Sequence, residues 1–162
     1  MKSLKVLCAI GFASLIFSCA HKEDVAAFYI DSELNENLTI QSRPENSSSA
    51  IFENTQLNLK SSESYKKYIQ RLEDIQITSL KCDFSNYQGV ISNGKLYIDG
   101  MLLGNFDGSK EHITISDPII LSIIANKFLE KTSLEFYFVG ESNTTHFLSV
   151  DIEIEMSGTF VH

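Results

Sequence analysis

The chain has 162 residues, a net charge of −8, 43% hydrophobic residues and 21% charged residues. These values are ordinary for a globular domain and exclude wholesale disorder. With no tryptophan, two prolines and eight glycines, the chain is neither collagen-like nor of low complexity. The negative charge makes nucleic acid a poor partner, and it favours covalent over electrostatic membrane attachment.

The first 19 residues have the order of an export signal. Lys2 and Lys5 precede an apolar stretch over residues 6–17, which is too short to span a bilayer. The stretch ends at Ser18-Cys19, which resembles the lipobox of bacterial lipoproteins. The resemblance implies diacylglycerol transfer to the Cys19 thiol, cleavage before Cys19 and acylation of the new amino group. Phe17 is bulkier than the residue that the lipobox pattern favours at its position.

A short charged tether follows the cysteine. Lys22-Glu23-Asp24 resembles the export signal of Bacteroidetes-type surface lipoproteins, and a solvated linker is the alternative reading. We therefore divide the chain into a signal peptide (1–18), a lipid-anchored tether (19–24) and one domain (25–162). We expect the protein to be lipid-anchored in the cell outer membrane. If Lys22-Glu23-Asp24 acts as an export signal, the domain is exposed at the cell surface.

Period-two alternation dominates the domain and predicts β-strands. In the run that starts at His146, the apolar residues at 148, 150, 152, 154 and 156 alternate with Ser149, Asp151, Glu153 and Glu155. This pattern predicts a half-buried strand with a carboxylate face. Asn93-Gly94 is the strongest hairpin signal, because this dipeptide tolerates the positive φ angles of a type I′ turn. Asp99-Gly100 and Asp107-Gly108 are further turn or bulge candidates, as is Gly158.

Two helices are predicted between the strands. Tyr65, Tyr68, Ile69 and Leu72 form a helical stripe within residues 62–74, with Ser62 as the N-cap. The second helix spans 118–131, with Asp117 as its N-cap and Pro118 at its first position. A nearly continuous apolar run predicts that this helix is deeply buried. The fold class is mainly β, an antiparallel β-sandwich of about eight to nine strands with these two short helices.

Residues with catalytic or metal-binding chemistry are scattered. His112 and His146 are the histidines away from the chain ends, and no zinc, P-loop or nucleophile-elbow spacing occurs. Calcium could bind the carboxylates of Asp151, Glu153 and Glu155 only if loops supplied further oxygen ligands. The favoured interpretation is therefore that these carboxylates form a solvated face of the strand. Cys82 lies in an alternating run and is expected to be a buried thiol without a disulfide partner. We expect no catalytic residues, no metal and no cofactor.

These observations favour a lipid-anchored envelope lipoprotein with a non-catalytic module that binds another envelope component or a ligand. One alternative is a hydrolase, glycan-directed or other, whose site assembles from distant residues. Another is a carbohydrate-binding module with Tyr65 or Tyr87 as its platform. A site in which His112 or His146 meets a carboxylate would favour the enzyme, and the sequence leaves the protein or glycan partner open.

Overall fold

A computed structural model describes residues 26–42, 49–142 and 144–162, which form two antiparallel sheets of four strands each. This confirms the predicted β-sandwich, and the strands number eight in the described residues. Residues 1–18 and 19–24, with Cys19, lie outside the described residues. Sheet A consists, in spatial order, of β1 (Ala27–Ser42), β8 (His146–Val161), β3 (Leu72–Gln88) and β6 (His112–Ile115). Sheet B consists of β2 (Ser49–Asn58), β7 (Ser133–Ser142), β4 (Ser92–Ile98) and β5 (Met101–Phe106).

Strand β8 is the centre of sheet A, paired with β1 on one side and β3 on the other. Its alternate residues Leu148 to Met156 are at most 3% exposed, whereas Asp151 and Glu155 face solvent. The predicted half-buried strand is therefore confirmed. Facing side chains from sheet B, including Leu134, Phe136 and Phe138, complete the core.

Helix α2 (Pro118–Lys131) has the predicted bounds and begins as expected, with Asp117 Oδ1 accepting a hydrogen bond from the Ile119 amide at 2.8 Å. The helix packs mainly against β3 and contacts β7 to a smaller extent. Leu121, Ile124, Ala125 and Phe128 are buried, but Ile119 is 70% exposed and Ile123 41% exposed. The expectation of deep burial was therefore wrong for these two isoleucines. Among the described residues, no helix has the length and apolar character needed to cross a membrane.

The helix predicted over 62–74 is much shorter in the structure. Ser62 does cap a helix, α1 (Glu63–Lys66), which is a single turn between two 3₁₀ turns (Leu59–Ser61 and Ile69–Arg71). From Leu72 the chain is already strand β3. The members of the apolar stripe do pack inward against the core, as the stripe predicted. The helical region ends early because Leu72 already pairs with Phe160 of β8.

The hairpin predicted at Asn93-Gly94 is also wrong. Residues 93 and 94 lie inside β4, where the register with β7 shifts between Ser92 and Lys95, so the two residues form a bulge. Asn93 supplies the positive φ of 53°. The tight turn is instead Asp99-Gly100, whose φ angles of 45° and 85° connect β4 to β5.

Candidate functional site

The groups with nucleophilic chemistry lie inside the sandwich. Cys82 is fully buried and free, as predicted, and burial raises the pKa of its thiol to about 12. His146 is 1% exposed, with Nδ1 3.2 Å from the Thr144 carbonyl oxygen and, among the described residues, no hydrogen-bond partner at Nε2. Neither side chain meets a carboxylate in an open cleft.

His112 is exposed on the edge strand β6, in register opposite Asp83 of β3. The Asp83 carboxylate contacts Lys81, with 2.7 Å between Oδ2 and Nζ. This contact, together with the charge of Glu153, raises the pKa of Lys81. The carboxylate beside His112 is thus engaged by a lysine.

The predicted carboxylate face forms the outer surface of sheet A, where Asp151, Glu153 and Glu155 lie on one side of β8. Asn37 of β1 donates hydrogen bonds to Asp151 Oδ1 at 2.6 Å and to Ser149 Oγ at 2.8 Å. A shallow open depression of about 400 Å³ is lined by Asn37, Asp83, Asp151 and Glu153, among others. Across the described ranges, no three His, Cys, Asp or Glu side chains come together in a way that could hold a metal ion.

The tyrosines considered as a sugar platform are both engaged in packing. Tyr65 is fully buried, and its hydroxyl donates to the Ile30 carbonyl oxygen at 3.2 Å. Burial is the main reason that the pKa of Tyr65 is raised. Tyr87 is half-buried, with its hydroxyl oxygen accepting from the Ile91 amide at 2.9 Å and its ring against Phe106.

The outer surface of sheet B carries a feature that the sequence reading missed. One large apolar side chain from each of the four strands contributes to a group that crosses the sheet, which we call the aromatic row. Its members are Phe52 of β2, Tyr137 of β7, Tyr97 of β4 and Leu102 of β5. Tyr137, Tyr97 and Leu102 are in register, whereas Phe52 pairs with Val139 and lies diagonally from Tyr137. Phe52 is 58% exposed and Leu102 47% exposed, so the two ends of the row face solvent.

The rings of the aromatic row stand upright on the sheet. Tyr97 and Tyr137 are direct cross-strand neighbours, with ring centroids 4.9 Å apart and planes only 11° from parallel. At this distance, parallel rings overlap face to face, because rings lying flat side by side would be farther apart. The Phe52 centroid is 5.6 Å from that of Tyr137 on the other side. Tyr97 and Tyr137 therefore cover one ring face of each other, and Phe52 lies beside Tyr137 from the neighbouring strand.

Charged residues of both signs border the row. Lys95 lies in register with Val139, next to the aromatic row, and is exposed. Glu141 is exposed on β7 and accepts a hydrogen bond from the Asn93 side chain at 3.4 Å. An apolar centre with a mixed polar rim is the usual anatomy of a protein-protein contact surface.

The two outer faces of the sandwich differ in composition. On sheet A, the outward positions from Asp31 to Thr39 of β1 and from Ser149 to Thr159 of β8 are occupied by Asp, Glu, Asn, Ser and Thr, as expected for a face in contact with water. On sheet B, the corresponding central positions are aromatic. The sequence signal was present in β7, where Phe136-Tyr-Phe-Val139 is a continuous apolar run, and such a run indicates that both faces of a strand are apolar.

Comparison of the chain with protein-family models, with curated proteins and with solved structures gives no match.

Proposed function

We propose that the chain is a lipoprotein of the bacterial cell envelope, anchored by lipid on Cys19, whose sandwich is a non-catalytic module that binds another envelope protein. The aromatic row is the observation that carries the binding role. Large aromatic side chains cost solubility on a water-facing sheet, and they are enriched at the centres of protein interfaces.

A protein partner fits the row better than a sugar. Sugars bind aromatic side chains by lying on open ring faces, and Tyr97 and Tyr137 each cover one ring face of the other, with Phe52 beside Tyr137. An apolar centre bordered by the charges of Lys95 and Glu141 suits the mixed surface of a folded protein.

The non-catalytic role is supported by where the reactive groups lie. Cys82 is enclosed in the core, His146 is 1% exposed, and Asp83 and Asp151 contact Lys81 and Asn37. An enzyme would hold such groups toward a cleft that a substrate can enter.

The anchor is tested by Cys19→Ser. Wild-type protein should be recovered in the membrane fraction, because two or more acyl chains give stable attachment. The variant should be released or remain as an uncleaved precursor. If the variant is cleaved at the same bond and stays in the membrane, the lipoprotein assignment is wrong.

The binding face is tested by a photo-crosslinking side chain placed in cells at Leu102, beside the aromatic row, or at Gln76 on sheet A. We expect a discrete adduct from position 102 and none from position 76. Phe52→Ser should reduce the adduct at 102 by tenfold or more, whereas Asn35→Ser, a change at an exposed position of sheet A, should leave it unchanged. Equal adducts from both faces, or none at 102, would refute this role for sheet B.

A further inference from the structure

At the end of sheet A where β8 begins, the outer face carries an aromatic side chain, Phe147. The even-numbered residues of β8 are buried from His146 to Phe160, so the odd-numbered residues point outward. Phe147 is half-buried, but it is not among the described side chains that pack against the core. Its partial burial therefore comes from neighbours on the outer face of the sheet.

Glutamine residues border the Phe147 ring on both sides. Gln41 of β1 and Gln88 of β3 are each in register with Phe147, and both are exposed. Residues directly opposite on neighbouring strands have Cβ atoms about 5 Å apart, so both glutamines lie next to the ring. Each side-chain amide carries two hydrogen-bond donors and an acceptor, which gives the ring a polar border of both kinds.

A bulge in β3 adds a third amide. The register with β8 shifts between Ser85 and Gln88, and Asn86 within this bulge is exposed with a φ of 55°. The next residue, Tyr87, packs its ring against Phe106 in the core. A bulge changes the direction of the side chains in its strand. Here it leaves the Asn86 amide on the same surface as Gln88.

The aromatic ring and the amides share one depression of about 580 Å³, a volume typical of small-molecule sites. We call it the Phe147 site, and the described residues that line it are Gln41, Asn86, Gln88, Thr145, His146 and Phe147. None of them is an acid, a lysine or an arginine. The outward residues next to the site, Thr39 of β1 and Ser149 of β8, are also uncharged.

We propose that the Phe147 site binds a neutral sugar. The electron-rich face of an aromatic ring attracts the C–H groups of a sugar ring, and amides match sugar hydroxyl groups because both donate and accept hydrogen bonds. An acidic or phosphorylated sugar would instead call for lysine or arginine. Both cross-strand neighbours of Phe147 are glutamines, so neither stacks a second ring on it, in contrast to Tyr97 and Tyr137.

An extended peptide suits the Phe147 site less well than a sugar. Such a peptide adds to a sheet through the unpaired backbone groups of an edge strand. Strand β8 is paired with β1 and with β3 at Phe147, so no strand edge is free at this position. The site therefore offers a ligand side chains and no unpaired backbone.

The Phe147 site is separate from the aromatic row, because the two lie on the outer faces of different sheets. Sugar binding at sheet A neither requires nor excludes a protein partner at sheet B. Failure of one proposal therefore leaves the other standing, and variants of each surface serve as controls for the other.

The test uses the chain from residue 19 onward with Cys19→Ser, which contains every described residue. The protein is run in native gels that each contain one soluble polysaccharide. Dextran, mannan, arabinoxylan and xyloglucan are the neutral probes, and polygalacturonate and heparin are the charged probes. We expect at least one neutral polysaccharide, and neither charged one, to retard the protein. The matching oligosaccharide should bind with a dissociation constant of about 1 mM.

Substitutions at Phe147 separate ring stacking from simple apolar contact. Phe147→Leu keeps an apolar side chain but removes the ring, so it should weaken binding by about tenfold. Phe147→Trp offers a larger ring face and should retain binding. Because the chain contains no other tryptophan, the emission of this residue should also shift when the oligosaccharide binds.

The amides are tested by Gln41→Ala combined with Gln88→Ala, which should weaken binding several-fold. Gln76→Ala, a change at an exposed amide near the other end of β3, should leave binding unchanged. Because Phe147 does not pack against the core, all variants should unfold within a few degrees of the parent protein. Lost binding in such a variant therefore reports on the site and not on folding.

Three results would overturn the proposal. The first is that no neutral polysaccharide retards the protein, and the second is that Phe147→Leu binds as tightly as the parent. The third is that Phe52→Ser, in the aromatic row, abolishes retardation while Phe147→Leu does not, because the sugar would then bind sheet B.

Discussion

Gly158 marks the closest approach between sheet A and the segment that connects β2 to β3. A Cβ atom there would lie 2.7 Å from Tyr65 Oη and 2.8 Å from Phe160 Cε2. The sequence suggested a bend or bulge at this glycine, but β8 keeps its register with β1 through residue 158. The glycine is needed because the Tyr65 ring crosses the strand at this point.

We predict that Gly158→Ala destabilises the domain by about 1–3 kcal/mol, because the added methyl group overpacks a buried contact. Urea denaturation measures the change, and Ser157→Ala is the control, expected to stay within about 0.5 kcal/mol. Tyr65→Phe removes the nearest atom, so the glycine change should cost less in that background. An equal cost in both backgrounds would show that the clash lies elsewhere.

Asp99 connects the β4-β5 turn to helix α2. Its carboxylate accepts hydrogen bonds from Lys127 and Lys131 at 2.8 Å, and these bonds lower the pKa of Asp99 below its ordinary value of 3.8. A carboxyl group with a lowered folded-state pKa contributes stability above the unfolded-state value, and this contribution is lost as the pH falls through the folded-state pKa.

We therefore predict that Asp99→Asn lowers stability by roughly 1 kcal/mol at pH 7 and has a vanishing effect well below pH 3.8, once the wild-type carboxylate is protonated in both states. Asparagine tolerates the positive φ of this turn, so the change tests charge and not backbone strain. Denaturation series at several pH values give the difference. Glu130→Gln, an exposed change on the same helix, should show no such pH dependence.

At the scale of elements, helix α2 ends on a strained residue. Thr132 has a φ of 57°, a left-handed conformation that β-branched residues rarely adopt. Its carbonyl oxygen accepts a hydrogen bond from the Leu59 amide at 3.0 Å, which ties the end of α2 to the start of the 3₁₀ turn after β2.

We predict that Thr132→Gly stabilises the domain by about 0.5–1 kcal/mol, because glycine adopts this conformation without steric cost and the backbone bond is retained. The midpoint of thermal unfolding should rise. The same substitution at Thr114, an exposed position in β6, should lower it. A loss of stability at position 132 would mean that the threonine side chain makes a compensating contact.

The elements also show how far the sequence could predict the structure. Alternation identified β8, and capping chemistry placed the start of α2, because these signals are local. The 62–74 helix was overestimated because an inward-facing stripe fits a helix turn followed by a strand equally well. Asn93-Gly94 was misread because a bulge and a hairpin both need positive φ, and only pairing with β7 decides between them.

The candidate site was harder to predict than the fold. Cys82 was correctly placed in the core from its local pattern. The aromatic row was not foreseen, because its four members come from four strands and their alignment depends on the order and register of sheet B. Tyr97 and Tyr137 are 40 residues apart in sequence and become neighbours only through pairing of β4 with β7.

For the whole molecule, Cys82 can report on global unfolding. It lies on β3 between β8 and β6, fully buried, and the thiolate is the reactive species. In a Cys19→Ser variant that begins at residue 19, we predict negligible reaction with Ellman's reagent at pH 8 in the native state and rapid reaction in denaturant. Gly158→Ala should accelerate native-state labelling in proportion to lost stability, and an added exposed thiol, Ser109→Cys, should react at once. If the native-state labelling rate of Cys82 does not change with global stability, the thiol is instead exposed by local opening at the β6 edge.

The place of β8 in the chain has a bearing on the timing of folding. Sheet A cannot close before residues 146–161 have been synthesised, because this strand lies between β1 and β3 and pairs with both. A nascent chain lacking it exposes two unpaired strand edges and half of a core, so folding during translation is blocked, and the long sequence separation of the pairs makes later folding slow. If the chain is exported as proposed above, this delay would keep it unfolded for passage through a translocation channel.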